Sequence, residues 1–241
     1  MCQPRRPPLR QTLAEAVALF SPTPILEIER VAAQAPPGDG HAVLVLPALL
    51  RSDHFTDQVR GFLGELGYVA HGWELGLNIG PTKRLLDGSL ERLRRIADER
   101  GPVSVVGFSL GGLFARWLSL RSPDQVRDVI TVCSPIHDAV DSFWLPLKPF
   151  LGMWPDVDIA KLAAEIAQQL PVPLTCVVSR QDGIVHWTSC CDQGAPPEDM
   201  IEITGPHALI ARSPTVLSIV AERLARATPN RTSGPPPSAT T

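Results

Sequence analysis

A serine flanked by glycines at the end of an apolar run carries the clearest chemical potential in this chain. Residues 103–112 read Val-Ser-Val-Val-Gly-Phe-Ser-Leu-Gly-Gly, and Leu113-Phe114-Ala115-Arg116-Trp117-Leu118 continues with helical character. A strand, a sharp turn and a helix are what a G-x-S-x-G nucleophile elbow requires. Ser109 sits at the turn, and Gly107 and Gly111 have no side chain to collide where strand and helix cross. A hydroxyl is a weak nucleophile at its own pKa. It needs a neighbouring base and a third group to orient that base. Asp182 lies 73 residues after Ser109, in the loop following the apolar run 173–178. His207 lies 25 residues further on, in the loop after Met200-Ile201-Glu202-Ile203. Both fall just past the carboxyl ends of predicted strands, where open α/β sheets collect their functional groups.

The elements that must hold these residues alternate along the chain. Helices are expected over 9–20, 56–66, 83–100, 159–170 and 215–226. Strands are expected over 42–46, 68–71, 103–106, 129–132, 173–178 and 200–203. Val59, Phe62, Leu63 and Leu66 form one apolar stripe; Leu85, Leu86, Leu90, Leu93 and Ile96 form another. Apolar strands separated by amphipathic helices predict an α/β fold, with a mostly parallel central sheet and helices on both faces.

Length and composition set the frame. The 241 residues suit one large domain, over 9–227, and 44% hydrophobic content is ample for a core. Residues 1–8 are expected to be loose, and the Pro/Ser/Thr-rich stretch 228–241 to be a disordered tail. The net charge is −3 with no basic stripe, which gives nucleic-acid binding no support. No apolar h-region follows the N-terminus and no stretch is long enough to span a bilayer, so a cytoplasmic protein without stable membrane insertion is expected. Five cysteines, Cys2, Cys133, Cys176, Cys190 and Cys191, show no C-x-x-C spacing. Neither a disulfide framework nor a zinc site follows, and no metal or other cofactor is expected.

With Gly107–Gly112, Asp182 and His207 in place, the chain resembles the α/β-hydrolase superfamily, close to its small bacterial lipase and esterase branch, over roughly residues 42–226. Further similarity lies in Val43-Leu44-Val45-Leu46-Pro47-Ala48-Leu49-Leu50, in 67–76 (GYVAHGWELG) and in 182–187 (DGIVHW). The resemblance implies hydrolysis of carboxylic esters without a cofactor, and the chain order Ser, acid, His. That order sets aside His54 and His71, which precede the serine. His41 stands before a strand, His186 is too near Asp182, and His137 leaves no acid ahead of it. Asp156 and Asp158 look like the N-terminal charges and cap of the helix that follows. Glu198 sits in a Pro-rich loop.

An oxyanion hole needs two backbone N–H groups. Leu110, after the nucleophile, supplies one by position. The loop after strand 42–46 supplies the other: Pro47 has no N–H, Leu49 is the first choice and Leu50 the second. Pro47-Ala48 stands where many lipases carry His-Gly. A small apolar cap or lid is expected over about 137–170, with the helix at 159–170 carrying it. Leu50, His137, Phe143 and Trp144 are candidate substrate contacts. The implied reaction is hydrolysis of short- to medium-chain acyl esters through an acyl-enzyme. An acyltransferase would use the same Ser-His-Asp intermediate, and a non-catalytic binding module could share the fold. The partner is a small-molecule ester; the sequence leaves oligomeric state open.

Overall fold

The computed structural model describes residues 7–18, 20–22, 24–136, 156–192 and 194–226. Six strands form one sheet: β1 (Ala42–Leu46), β2 (Val69–Gly72), β3 (Val103–Phe108), β4 (Val126–Val132), β5 (Leu174–Ser179) and β6 (Met200–Ile203). Their order is β2-β1-β3-β4-β5-β6 and every neighbouring pair is parallel. All carboxyl ends therefore meet at one edge, which brings residues 109, 182 and 207 to the same side of the molecule.

Seven α-helices accompany the sheet among the described residues: α1 (Leu9–Ala18), α2 (Ile25–Gln34), α3 (Asp57–Glu65), α4 (Lys83–Arg100), α5 (Leu110–Arg121), α6 (Ile159–Ile166) and α7 (Pro214–Arg226). Successive strand side chains point to opposite faces, so β1 feeds two cores. Val43 and Val45 pack with residues of α2, α3 and α7, including Ile28, Phe62 and Val220. Ala42, Leu44 and Leu46 pack with residues of α4, α5 and α6, including Leu93, Phe114 and Ile166. All five β1 residues are buried, which is why the strand reads as an unbroken apolar run.

Several expected boundaries shift. The first helix stops at Ala18, where Phe20 N–H turns back to the Val17 carbonyl. The segment expected as helix 56–66 begins as a 3₁₀ turn over Asp53–Thr56 and becomes α-helical at Asp57. The helix expected over 159–170 ends at Ile166. The sequence reading had no helix over Ile25–Gln34; it docks on α7 through Ile28 with Val31 and Ala32. The expected tail (228–241), most of the expected loose N-terminus and residues 137–155 of the expected cap lie outside the described residues. No described helix is long and apolar enough to cross a membrane.

Candidate active site

β3 runs to Phe108, α5 begins at Leu110, and Ser109 is the single residue between them. Its backbone has φ 51° and ψ −120°. A non-glycine residue at positive φ costs on the order of 1–3 kcal/mol and persists only where its surroundings enforce it. Here the enforcing packing is visible. A Cβ on Gly107 would stand 2.5 Å from the carbonyl carbon of Gly111. One on Gly111 would collide with the Leu46 carbonyl oxygen at the end of β1. The two glycines thus let the serine turn fold back on itself and let the loop after β1 approach the start of α5.

The carboxyl ends of β4, β5 and β6 complete the group. Ser109 N–H donates to the Val132 carbonyl (2.8 Å), and the next residue, Cys133, donates its N–H to Val177 (2.8 Å). Cys133, Asp182 and His207 lie together, with their side-chain donor atoms within 4.8 Å of one another. His207 Nδ1 is 2.6 Å from Asp182 Oδ2. The other carboxylate oxygen, Oδ1, accepts the N–H groups of Ile184 (2.8 Å) and Val185 (2.7 Å). Ser109, Asp182 and His207 are 3%, 2% and 7% exposed, so the charges interact with little solvent screening.

Burial opposes the imidazolium, but the Asp182 charge, its hydrogen bond and the smaller effect of the Glu15 charge outweigh that. The His207 pKa lies above its ordinary value. Burial, reinforced by the Asp182 charge, pushes the Cys133 thiol well up, so it stays protonated. As donors for a metal the three are poorly disposed. The thiol keeps its proton, His207 Nδ1 faces the carboxylate, and both carboxylate oxygens already accept hydrogen bonds. The set is an acid–base couple with a buried thiol beside it.

The loop after β1 is fixed by a residue the sequence reading passed over. Asn78 is fully buried. Its Nδ2 donates to the Pro47 carbonyl (2.8 Å), its Oδ1 accepts Gly80 N–H (3.1 Å), and its own N–H donates to Arg51 (2.8 Å). Its carbonyl accepts the Leu50 N–H at 2.7 Å. The N–H of Leu50, at φ 56°, is therefore already engaged within this loop. Leu110 is the first residue of α5, and a first-turn N–H has no intrahelical partner.

Leu50 also lines an open groove of about 580 Å³ with Phe55, Leu77, Ala208 and Arg212. Ala208 directly follows His207 in the chain, and polar Arg51, Ser52, His54, Asp57 and Gln58 complete the groove's lining. A second apolar crevice, between α5 and α6 and lined by Leu110, Phe114, Trp117 and Ile166, has only about 20 Å³, too little for an acyl chain. The other candidate substrate contacts, His137, Phe143 and Trp144, lie outside the described residues.

A second serine–histidine–aspartate arrangement occupies the opposite, amino edge of the sheet. His41 Nε2 is 2.9 Å from Ser104 Oγ, and His41 Nδ1 bonds Asp39. Ser104 is fully buried within β3 and its hydroxyl donates to Asp128. Burial lifts the Asp128 carboxyl to about 6, against the Ser104 hydrogen bond that lowers it. Ser104 lies inside β3 rather than at a strand-to-helix turn. The cluster satisfies buried polar groups between strands.

Three other competitors have local partners. His54 is exposed beside Asp57, and His186 bonds Thr188 Oγ1 (2.7 Å). Asp158 caps α6 by accepting Lys161 N–H. Arg116, also passed over in sequence, is completely buried in α5. It pairs with Asp192 (2.6 Å) and donates to the carbonyls of Ile166 and Gln168, anchoring the end of α6 to the elbow helix.

Comparison with known proteins agrees with this fold. Residues 84–170 match the family described as alpha/beta hydrolase fold. A metagenome-derived lipolytic enzyme, from a study of LipS and LipT, superposes with a TM-score of 0.61 at 11% identity, covering 80% of this chain and 96% of its own. The chain has the α/β-hydrolase fold. The monoacylglycerol lipase of Paleococcus ferrophilus shares it with a TM-score of 0.58 at 14% identity, over 80% of this chain and 97% of that one. So does MGS-MChE2, an alpha/beta hydrolase from the metagenome of lagoon sediments at Mar Chica, Morocco. Its TM-score is 0.54 at 18% identity, over 79% of this chain and 92% of that one. No curated protein sequence matches the chain.

Proposed function

We propose that the chain is a serine hydrolase of carboxylic esters working through an acyl-enzyme. The observation that carries this reading is the buried His207–Asp182 hydrogen bond at the sheet edge where Ser109 occupies a strained elbow. Ser109 Oγ attacks the ester carbonyl carbon as His207 Nε2 takes its proton. Asp182 holds the ring through Nδ1 and stabilises the imidazolium. The Leu49 and Leu110 amide N–H groups donate hydrogen bonds to the negatively charged tetrahedral oxygen. The C–O bond then breaks and His207 returns its proton to the leaving alkoxide. Water, deprotonated by the same nitrogen, attacks the acyl carbon; the bond to Ser109 Oγ then breaks, His207 returns its proton to that oxygen, and the acid is released.

The groove that includes Ala208 mixes apolar Leu50, Phe55 and Leu77 with polar His54, Asp57 and Arg212, which suits a small-molecule ester carrying both apolar and polar parts. A panel of p-nitrophenyl esters from acetate to palmitate tests the reading. Turnover of the short and medium members is expected. Absence of turnover across the panel would overturn it.

A further inference from the structure

α1 faces the wrong way for an ordinary amphipathic helix. Leu9, Leu13 and Val17 are 63–72% exposed, while Glu15 is 6% exposed. The helix is attached by its polar side. Glu15 Oε1 accepts Gly183 N–H (2.8 Å) and His207 N–H (2.7 Å), and Oε2 accepts Ala208 N–H (2.7 Å). Gly183 directly follows Asp182, so one carboxylate spans the loop of the acid and the loop of the base. Neighbours on the same face lock the helix down. Thr12 Oγ1 donates to the Gly183 carbonyl (2.9 Å), and Gln11 Nε2 to that of Arg180 (2.8 Å). A Cβ on Gly183 would run into the Gln11 carbonyl, so helix and loop can approach this closely only at glycine.

We infer that Glu15 is a positioning residue for the Asp182–His207 pair, holding the two loops in register through three backbone amides. The inference rests on the functional reading above. A buried carboxylate with three N–H donors is stabilised by charge-assisted hydrogen bonds, and removing it strands those donors. Its charge also favours protonated His207, the form created when the base takes the serine proton. The ionisable groups facing His207 among the described residues are Asp182 from the β5 loop, Glu15 from α1 and the Cys133 thiol from the end of β4.

Glu15→Gln keeps the shape and one acceptor oxygen but loses the charge. Glu15→Ala loses everything. On folded protein, judged by far-UV circular dichroism, kcat is expected to drop about tenfold for Gln and about 100-fold for Ala, with KM little changed, because small misplacements of catalytic groups act on the chemical step. The His207 pKa, followed by NMR through the imidazole signals, should fall in Glu15→Gln. Its low-field Nδ1 proton is assigned by its loss in Asp182→Asn. Leu13→Ala, on the exposed face of α1, should match wild type in both readouts. A Glu15→Gln protein with wild-type kcat and wild-type His207 titration would overturn the inference. If wild type hydrolyses no ester, or Ser109→Ala is equally active, the functional reading fails instead, and the NMR titration still decides whether Glu15 positions the pair.

Discussion

His41 Nε2 lies 2.9 Å from Ser104 Oγ at the amino edge of the sheet, the atom pairing that a serine–histidine nucleophile would use. Its surroundings give it a different task. The Ser104 hydroxyl donates to Asp128, so its proton is held by a carboxylate rather than offered to the imidazole. Ser104→Ala should therefore keep wild-type kcat per folded molecule while losing about 1–3 kcal/mol of stability, the penalty of unpairing buried polar groups. Ester assays beside thermal melts separate the two effects; a collapse of kcat in a folded Ser104→Ala protein would move the chemistry to this edge.

The pH profile follows from the His207 environment. The base must be neutral to accept the serine proton, so kcat/KM rises as pH passes through the free-enzyme pKa of His207. With that pKa raised by Asp182 and Glu15 over the opposing effect of burial, the acidic limb should lie above pH ~6.5, the ordinary imidazole value. The same proton linkage governs stability. The ion pair contributes fully below the unfolded pKa, and its contribution is lost as pH rises through the folded one. Asp182→Asn should shift the remaining activity's acidic limb downward. An acidic limb below pH ~6 in wild type would contradict the assignment of the base.

Asn78 offers a test of the oxyanion loop that leaves its backbone donors intact. Asn78→Ala removes the bonds to the Pro47 carbonyl and Gly80 N–H, freeing the segment that presents the Leu49 amide. Loss of one oxyanion donor costs about 10²–10³ in kcat, and misaiming it should cost a sizeable part of that. Steady-state kinetics should show kcat falling more than KM rises. Unchanged kcat would show that the loop needs no such anchor.

The readable parts of the chain were those with local causes. Helix 83–100 carries its own start and stop: Thr82 Oγ1 accepts Leu85 N–H, and Gly101 takes φ 81°. Both limits therefore agreed with the sequence. The gathering of Ser109, Asp182 and His207 at one sheet edge was legible because each directly follows or closely trails a strand of a parallel sheet. Helix Ile25–Gln34 was missed because prolines at 22, 24, 36 and 37 bracket it and suggest a loop. Glu15 and Asn78 were beyond reach for another reason. They act on backbone groups, up to 193 residues away for Glu15, and backbone donors leave no mark in a sequence. The one available signal at Glu15 was its place opposite the Leu9, Leu13 and Val17 stripe, which suggests a solvated face and here means the reverse.

Ser109 is the proposed nucleophile, and covalent capture tests that role most directly. The protein is incubated with a fluorophosphonate ester, whose phosphorus is attacked by an activated serine with loss of fluoride. Intact-mass spectrometry followed by peptide mapping then locates the adduct. One equivalent on the peptide containing Ser109, with no adduct on Ser109→Ala or on Ser104, is the predicted result. An adduct on another residue, or equal labelling of Ser109→Ala, would contradict the account.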